Sequence, residues 1–248
     1  MSKRRIALLG GCGGIGRSLV DACLRDGDDI AVLDLKPSLA QHPPPPGTIA
    51  IEIEGSVEKS VAEAFASLRK PWGALDGFVN AAGFLITKQD LANTPTGEFD
   101  STIDGNLRTA FLCCKAAMTL LQNGEAPSLV NIASGLGGFI RPQYGPYAIA
   151  KAGMIALTKT LALEHAPRVR ANAVAPGPVD TAFLRGGTGR STEDLPASLD
   201  IATYNASIPL KRVATPEDVV GPVMFLLGAQ SAYMTGQTLW VNGGAYMP

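Results

Sequence analysis

Histidine is almost missing from this sequence. Only His42 and His165 occur in 248 residues, far apart, so a metal site built on imidazoles is not expected. Cysteine is nearly as scarce: Cys12, Cys23, Cys113 and Cys114 form no Cys-x-x-Cys pair, and the last two are adjacent. That spacing speaks against a disulfide framework and for a reducing compartment. An excess of either charge is absent too, with 21 basic against 22 acidic residues, and no basic block is long enough to suggest nucleic acid or an anionic membrane. No apolar run approaches the ~20 residues of a membrane span. Lys3-Arg4-Arg5 followed by Ile6-Ala7-Leu8-Leu9 and Gly10-Gly11-Cys12 has the outline of a lipoprotein leader, but four apolar residues are too few for a signal core. The expectation is a cytoplasmic protein with no nucleic-acid or membrane partner.

What is present points elsewhere. Hydrophobic residues reach 46%, enough for a sizeable core in one large α/β domain or two small ones. Ile6-Ala7-Leu8-Leu9 is a short apolar run that stops at glycine, the pattern of a buried parallel strand. Gly10-Gly11-Cys12-Gly13-Gly14-Ile15-Gly16 follows, then a helical pattern through Leu19, Val20 and Leu24, then Ile30-Ala31-Val32-Leu33 closing on Asp34. This is one βαβ unit. The glycines fit Gly-x-Gly-x-x-Gly from Gly11 and a wider spacing from Gly10 through Gly14 to Gly16. In either register the chain turns tightly, lets a pyrophosphate approach the backbone and sets a helix N-terminus against its charge. A carboxylate ending the second strand can accept from both ribose hydroxyls and repels a 2′-phosphate. No arginine directly follows Asp34, which favours NAD over NADP.

Further along, Pro43-Pro44-Pro45-Pro46 is a rigid surface spacer before a strand at 48–53, and residues 56–68 are helical. A fourth strand at 75–79 runs into Asn80-Ala81-Ala82-Gly83, small enough to pack against a flat ring, although a plain tight turn has the same composition. A long helical pattern over 94–121 contains Asn106, a mediocre helix former that, if buried, has a polar task. Strands at 128–133 and 170–175 end at Ser134 and at Pro176-Gly177-Pro178. Between them lies Tyr147-Ala148-Ile149-Ala150-Lys151. Residues four apart share a helix face, and an ammonium beside a phenol favours the phenolate. A free tyrosine titrates near ~10, so such a neighbour would draw it toward the range general acid–base catalysis uses. Taken alone, Tyr-x-x-x-Lys is also an ordinary surface pair.

Together the glycine loop, Asn80-Ala81-Ala82-Gly83, Asn106, Ser134, Tyr147-x-x-x-Lys151, Pro176-Gly177-Pro178-Val179-Asp180-Thr181 and the closing segment from Tyr233 to Gly244 resemble the short-chain dehydrogenase/reductase family in order and spacing, over essentially the whole chain. The resemblance implies a single Rossmann-type domain over 1–248, doubly wound, with a seven-stranded parallel sheet and helices on both faces. It implies Tyr147 as general acid/base, Lys151 lowering its pKa and binding the nicotinamide ribose, Ser134 on the reacting oxygen, and Asn106 holding a water that links Lys151 to solvent. By the same resemblance Gly10, Cys12, Gly13, Gly14, Ile15 and Gly16 hold the pyrophosphate and Asp34 the adenosine ribose of NAD. Asn80, Ala81, Ala82 and Gly83 flank the cofactor, and Pro176, Gly177, Val179 and Thr181 meet the nicotinamide. Homotetramers or homodimers are usual, for which the apolar stretch 219–227 and the C-terminal strand would serve, although burial inside the monomer suits that stretch equally well.

Three positions depart from the family pattern. Leu9 stands where threonine is usual before the loop, Glu54 is the nearest match for an adenine-binding aspartate, and Asn242 replaces an aspartate before Gly243-Gly244. Substrate choice is expected from a lid at about 182–210, with a short helix over 195–204, and from Gly137, Gly138, Phe139, Gln143 and Tyr144 on the opposite wall. Arg185 and Arg190 could meet an acidic group, although loop arginines are usually just solvated. The expected substrate is a secondary alcohol, cyclic ones included, oxidised to its ketone. The alternatives are an NADPH-dependent 3-oxoacyl reductase and a non-catalytic nucleotide sensor.

Overall fold

The computed structural model describes residues 3–85 and 88–248. The strands are β1 (Arg5–Leu9), β2 (Asp29–Asp34), β3 (Ile49–Glu52), β4 (Gly77–Asn80), β5 (Ser128–Ile132), β6 (Arg170–Pro176) and β7 (Thr238–Val241). The helices are α1 (Gly14–Arg25), α2 (Lys36–Gln41), α3 (Glu58–Trp72), α4 (Thr96–Ile103), α5 (Thr109–Leu121), α6 (Gly145–His165), α7 (Ile201–Ser207) and α8 (Pro216–Leu227). The seven strands form one parallel sheet in the order β3-β2-β1-β4-β5-β6-β7.

Parallel strands joined by helices have both faces covered, so alternate residues serve two different cores. Ala7, Leu9, Ala31 and Leu33 join Phe65 and Leu68 of α3, Leu112 and Met118 of α5 and Leu161 of α6. Ile6, Leu8, Ile30 and Val32 join Leu19 and Val20 of α1 and Val219, Val223 and Leu226 of α8. This explains why β1 reads as a continuous apolar run. Two ion pairs anchor the strand starts. Arg4 pairs with Asp28 at 2.6 Å and Arg5 with Asp76 at 3.0 Å. Asp76 also accepts from the backbone of Arg5 and Glu125. Burial pushes its carboxyl up, but these bonds more than offset that and hold it below the usual carboxylate range.

The strand order reverses between β1 and β4, and a crevice opens there beyond the carboxyl ends of the strands. Three local differences from the expected elements bear on it. The helical pattern over 94–121 is two helices joined by a π-helical turn at Asp104–Arg108. A 3.6-residue periodicity cannot signal one extra residue in a turn. A short helix, α2, precedes the prolines. The helix expected over 195–204 begins instead at Ile201, because Asp200 caps it by accepting from the backbone N–H of Thr203.

Candidate active site

The crevice holds a cavity of about 340 Å³. Its floor is the loop after β1. Gly10 has φ +79°, and a side chain there would stand 2.7 Å from the backbone of Ala82. At Gly16 an added Cβ would lie 2.2 Å from the Gly10 carbonyl, and at Gly14 it would lie 2.5 Å from Thr181. Glycine is therefore required for α1 to start this close to β1 and to the exit of β6. Gly13 caps α1 without a side chain, and no acidic residue occupies the first turn. The free N–H groups and positive dipole end of a twelve-residue helix thus face the cleft, a fit for a pyrophosphate. Leu9 is buried in the core. The loop is tied down by the Cys12 backbone N–H donating to Asp34 Oδ2 at 2.9 Å and by Gly13 N–H donating to the Gly10 carbonyl.

Asp34 also accepts from the Leu35 N–H at 2.8 Å, so its carboxylate is fixed at the rim of the cleft. On the other side of β1, Asn80 is fully buried, accepts from the Ala82 N–H and donates to Asn131 Oδ1 at 3.1 Å. Asn131 donates in turn to Thr158 on α6. This buried chain of amides and hydroxyl locks the exit of β4 to β5 and α6. Asn131 was read from the sequence only as a strand residue.

Tyr147 and Lys151 lie on the first turns of α6, both buried. Lys151 Nζ sits 5.6 Å from the centre of the Tyr147 ring and donates to the Ile132 carbonyl at 2.9 Å. Burial pushes the Lys151 ammonium down to about 7. The same burial pushes the Tyr147 phenol above its ordinary value, and a hydrogen bond with Ser134 partly opposes it. The sequence suggests that Lys151 would draw the phenol down, but in this pocket desolvation acts on both groups and favours their neutral forms. Ser134 is in place because β5 ends there and a short 3₁₀ turn, Gly135–Gly137, follows, its start capped by Ser134 Oγ accepting from the Leu136 N–H.

Asn106 lies in the π-helical turn and is fully buried. It clamps the chain leaving β4, accepting from Phe84 N–H and donating to the carbonyls of Phe84 and Thr102. A Cβ on Gly83 would stand 2.7 Å from Asn106 Oδ1 and 3.2 Å from Lys151 Nζ, so Gly83 sits between the two polar groups.

The other half of the cleft is aromatic. Phe183 stands 6.0 Å from the Tyr147 ring, Phe139 stacks on Tyr246 at 5.6 Å, and Tyr246 meets Trp240 edge-on at 4.9 Å. Tyr144 and Tyr204 also line it. Trp240, Tyr246 and Arg141 were not anticipated, since a tyrosine two residues from the C-terminus carries no local signal. Asn242 explains how Tyr246 arrives: its amide donates to the Tyr246 carbonyl at 2.8 Å and its oxygen accepts from the Gly244 N–H. An aspartate could not make the first of these bonds.

Arg185 is engaged with Asp180 and the Thr181 carbonyl. Arg190 lies over the Phe84 ring at 3.9 Å. Among the described residues no group of His, Cys, Asp and Glu could hold a metal ion, and no helix is long and apolar enough to cross a membrane.

The model of a family described as enoyl-(acyl carrier protein) reductase matches residues 10–246. An uncharacterised short-chain type dehydrogenase/reductase of Sinorhizobium fredii is 35% identical over 246 residues, 97% of this chain, which spans 43% of that longer protein. A 3-oxoacyl-[acyl-carrier-protein] reductase of Staphylococcus epidermidis is 32% identical over 243 residues, covering 94% of this chain and 95% of that one. The ligand-free aldohexose dehydrogenase of Thermoplasma acidophilum superposes with a TM-score of 0.87 at 26% identity, over 99% of this chain and 96% of that one. The chain belongs to the short-chain dehydrogenase/reductase family, oxidoreductases that use a nicotinamide cofactor.

Proposed function

We propose that this protein is an NAD-dependent dehydrogenase that interconverts a secondary alcohol and its ketone, with Tyr147 as the general acid/base. The observation that carries the reading is that Tyr147, Ser134 and Lys151 line one cleft together with the glycine loop, with Lys151 Nζ 5.6 Å from the centre of the Tyr147 ring. Bound there, nicotinamide gives or takes the hydride and, when oxidised, brings a positive charge.

The roles follow from the surroundings of each residue. Burial keeps the phenol protonated, so in the reductive direction it is ready to donate to the ketone oxygen as the alcohol forms. In the oxidative direction the phenol must first lose its proton, and among the described residues Lys151 is the one buried lysine, set beside it. With a pKa near 7, Lys151 can hold or release a proton at working pH, a property a relay to solvent needs. Ser134 Oγ orients the substrate oxygen against the phenol. Asn106 fixes the backbone of Phe84 and so holds Gly83 beside Lys151. The segment 182–210 serves as a lid that excludes water.

Asp34 supports NAD. Two backbone N–H groups pin its carboxylate at the adenosine end of the cleft, where a fixed negative charge repels a 2′-phosphate and accepts from ribose hydroxyls. The aromatic wall of Phe139, Phe183 and Tyr246 supports a ring-bearing alcohol. The aldohexose dehydrogenase neighbour supports a sugar among the candidate alcohols, whereas the Staphylococcus relative supports the 3-oxoacyl alternative. We further propose an assembly of two or four copies.

The test is a titration of NAD(H) and NADP(H) on wild type and Tyr147→Phe, with turnover of steroid, sugar, dihydrodiol and hydroxyacyl alcohols. NAD(H) should bind both proteins, and the variant should lose at least about a thousandfold in kcat, the upper part of the usual general acid–base contribution. Turnover restricted to acyl-carrier-protein ketones with NADPH overturns the reading.

A further inference from the structure

We infer that Arg190 is a dinucleotide-binding residue, delivered by the lid to the adenosine side of the cleft, where it holds a phosphate of the cofactor. This rests on the proposed lid and on the family's use of a nicotinamide dinucleotide, and not on the choice of NAD over NADP.

The lid does not stop at the substrate half of the cleft. Past the turn after β6 it runs on to α2 and fastens there. The Gly189 N–H donates to Gln41 Oε1 at 3.0 Å, Ser38 Oγ donates to the Thr188 carbonyl, and His42 Nε2 lies 3.1 Å from Glu193. Gly189, at φ +70°, passes so close that a Cβ would stand 2.2 Å from Ser38 Oγ. The strap therefore crosses the cleft at the ends of β2, β3 and β4, over the adenosine half and away from Tyr147.

Arg190 is the charge this strap carries to the mouth of the cleft. Its guanidinium lies over the Phe84 ring at 3.9 Å, lines the cleft and feels the charge of Glu54 after β3. It makes no side-chain hydrogen bond and no salt bridge among the described residues. Arg4, Arg5, Arg185 and Arg212, by contrast, each hold a carboxylate at 3.0 Å or less. The side chain is exposed at the mouth of the cleft, and a guanidinium there that no carboxylate holds is open to an anion, with which it makes a strong charge-assisted pair. The anions this cleft is shaped to take are dinucleotide phosphates: a pyrophosphate at the start of α1 in every nicotinamide dinucleotide, and a 2′-phosphate in NADPH alone. An acidic substrate would have to cross the aromatic half to reach the same group.

The experiment measures dissociation constants of NADH, NADPH, ADP-ribose and adenosine for wild type, Arg190→Gln and Arg190→Lys, with melting curves of each protein. Arg190→Gln should weaken NADH and ADP-ribose by about tenfold, the size of a lost charge-assisted hydrogen bond, leave adenosine unchanged, and melt as wild type does. Arg190→Lys should recover part of the loss. If only NADPH weakens, the phosphate is the 2′-phosphate: the inference stands and the NAD reading falls. Unchanged constants for all three phosphate ligands overturn the inference, whether or not the substrate KM rises. So does an equal loss for adenosine, which would mean stacking on the purine.

Discussion

At the scale of single residues, the chemistry of this site is set by burial more than by pairing. Tyr147 and Lys151 stand one helical turn apart, as their spacing requires, yet both are shifted toward neutrality by the same desolvation. This has a consequence for folding. In the unfolded chain lysine titrates near ~10.4; in the folded one Lys151 titrates near 7. Between these values the unfolded state binds more protons, so stability rises with pH across that window. Below 7 both states are charged and the cost of burying the ammonium is fully present. Lys151→Met removes that cost. Urea denaturation from pH 7 to 9.5 should show wild type gaining stability relative to the variant by at most roughly 1.4 kcal/mol per pH unit. Parallel curves would mean that Lys151 stays charged when folded. The sequence revealed which residues meet here, because Tyr-x-x-x-Lys on a helix face is local information. It could not reveal the sign of the phenol's shift, which depends on how deeply β5 and α6 enclose it, nor why Asn242 suits its place, which depends on the carbonyl of Tyr246.

At the scale of elements, the strands and longer helices were legible because each carries its own periodicity and punctuation. Glycine closes β1, Asp34 closes β2, and Pro146 stands in the first turn of α6, whereas α8 read only as an apolar stretch. The π-helical turn at Asp104–Arg108 and the short α2 were not, since neither has a periodicity to display. The strap from the lid to α2 was equally hidden, because its contacts join residues about 150 positions apart. Its fastening at His42 and Glu193 is a half-buried pair at the rim, of a kind worth about 1 kcal/mol or less. His42→Ala should therefore leave the melting temperature nearly unchanged while opening the strap more often. Trypsin offers a local readout, since Arg185 and Arg190 flank the loop at 186–189. Cleavage there should speed up by up to about fivefold in the variant. Equal cleavage rates would show that the Gln41 and Ser38 contacts hold the strap without the His42–Glu193 contact.

At the scale of the whole molecule, the reversal of strand order between β1 and β4 places every candidate group at one edge of the sheet and leaves the helical layers free for other contacts. From the sequence the stretch 219–227 suits an interface and the monomer's own core equally. Its Val219, Val223, Leu226 and Leu227 pack inside the chain, in the core that includes α1, so α8 spends most of its apolar surface on its own fold. Such a stretch reads the same whether it meets its own chain or another copy, and only the packing separates the two. The opposite layer is different. Phe111 on α5 is 48% exposed, and on α6 Ile149 is 43% and Leu163 84% exposed. Covering one such side chain fully is worth about 1.5–3 kcal/mol, enough for a few together to stabilise an interface between copies. If that layer makes the proposed assembly, Leu163→Glu combined with Phe111→Lys should shift sedimentation from two or four copies to one, with an unchanged far-ultraviolet circular dichroism spectrum. An assembly that survives both substitutions would move the interface to β7 and the exposed edge of α8 at Phe225, and a wild-type chain that sediments alone would remove the assembly altogether.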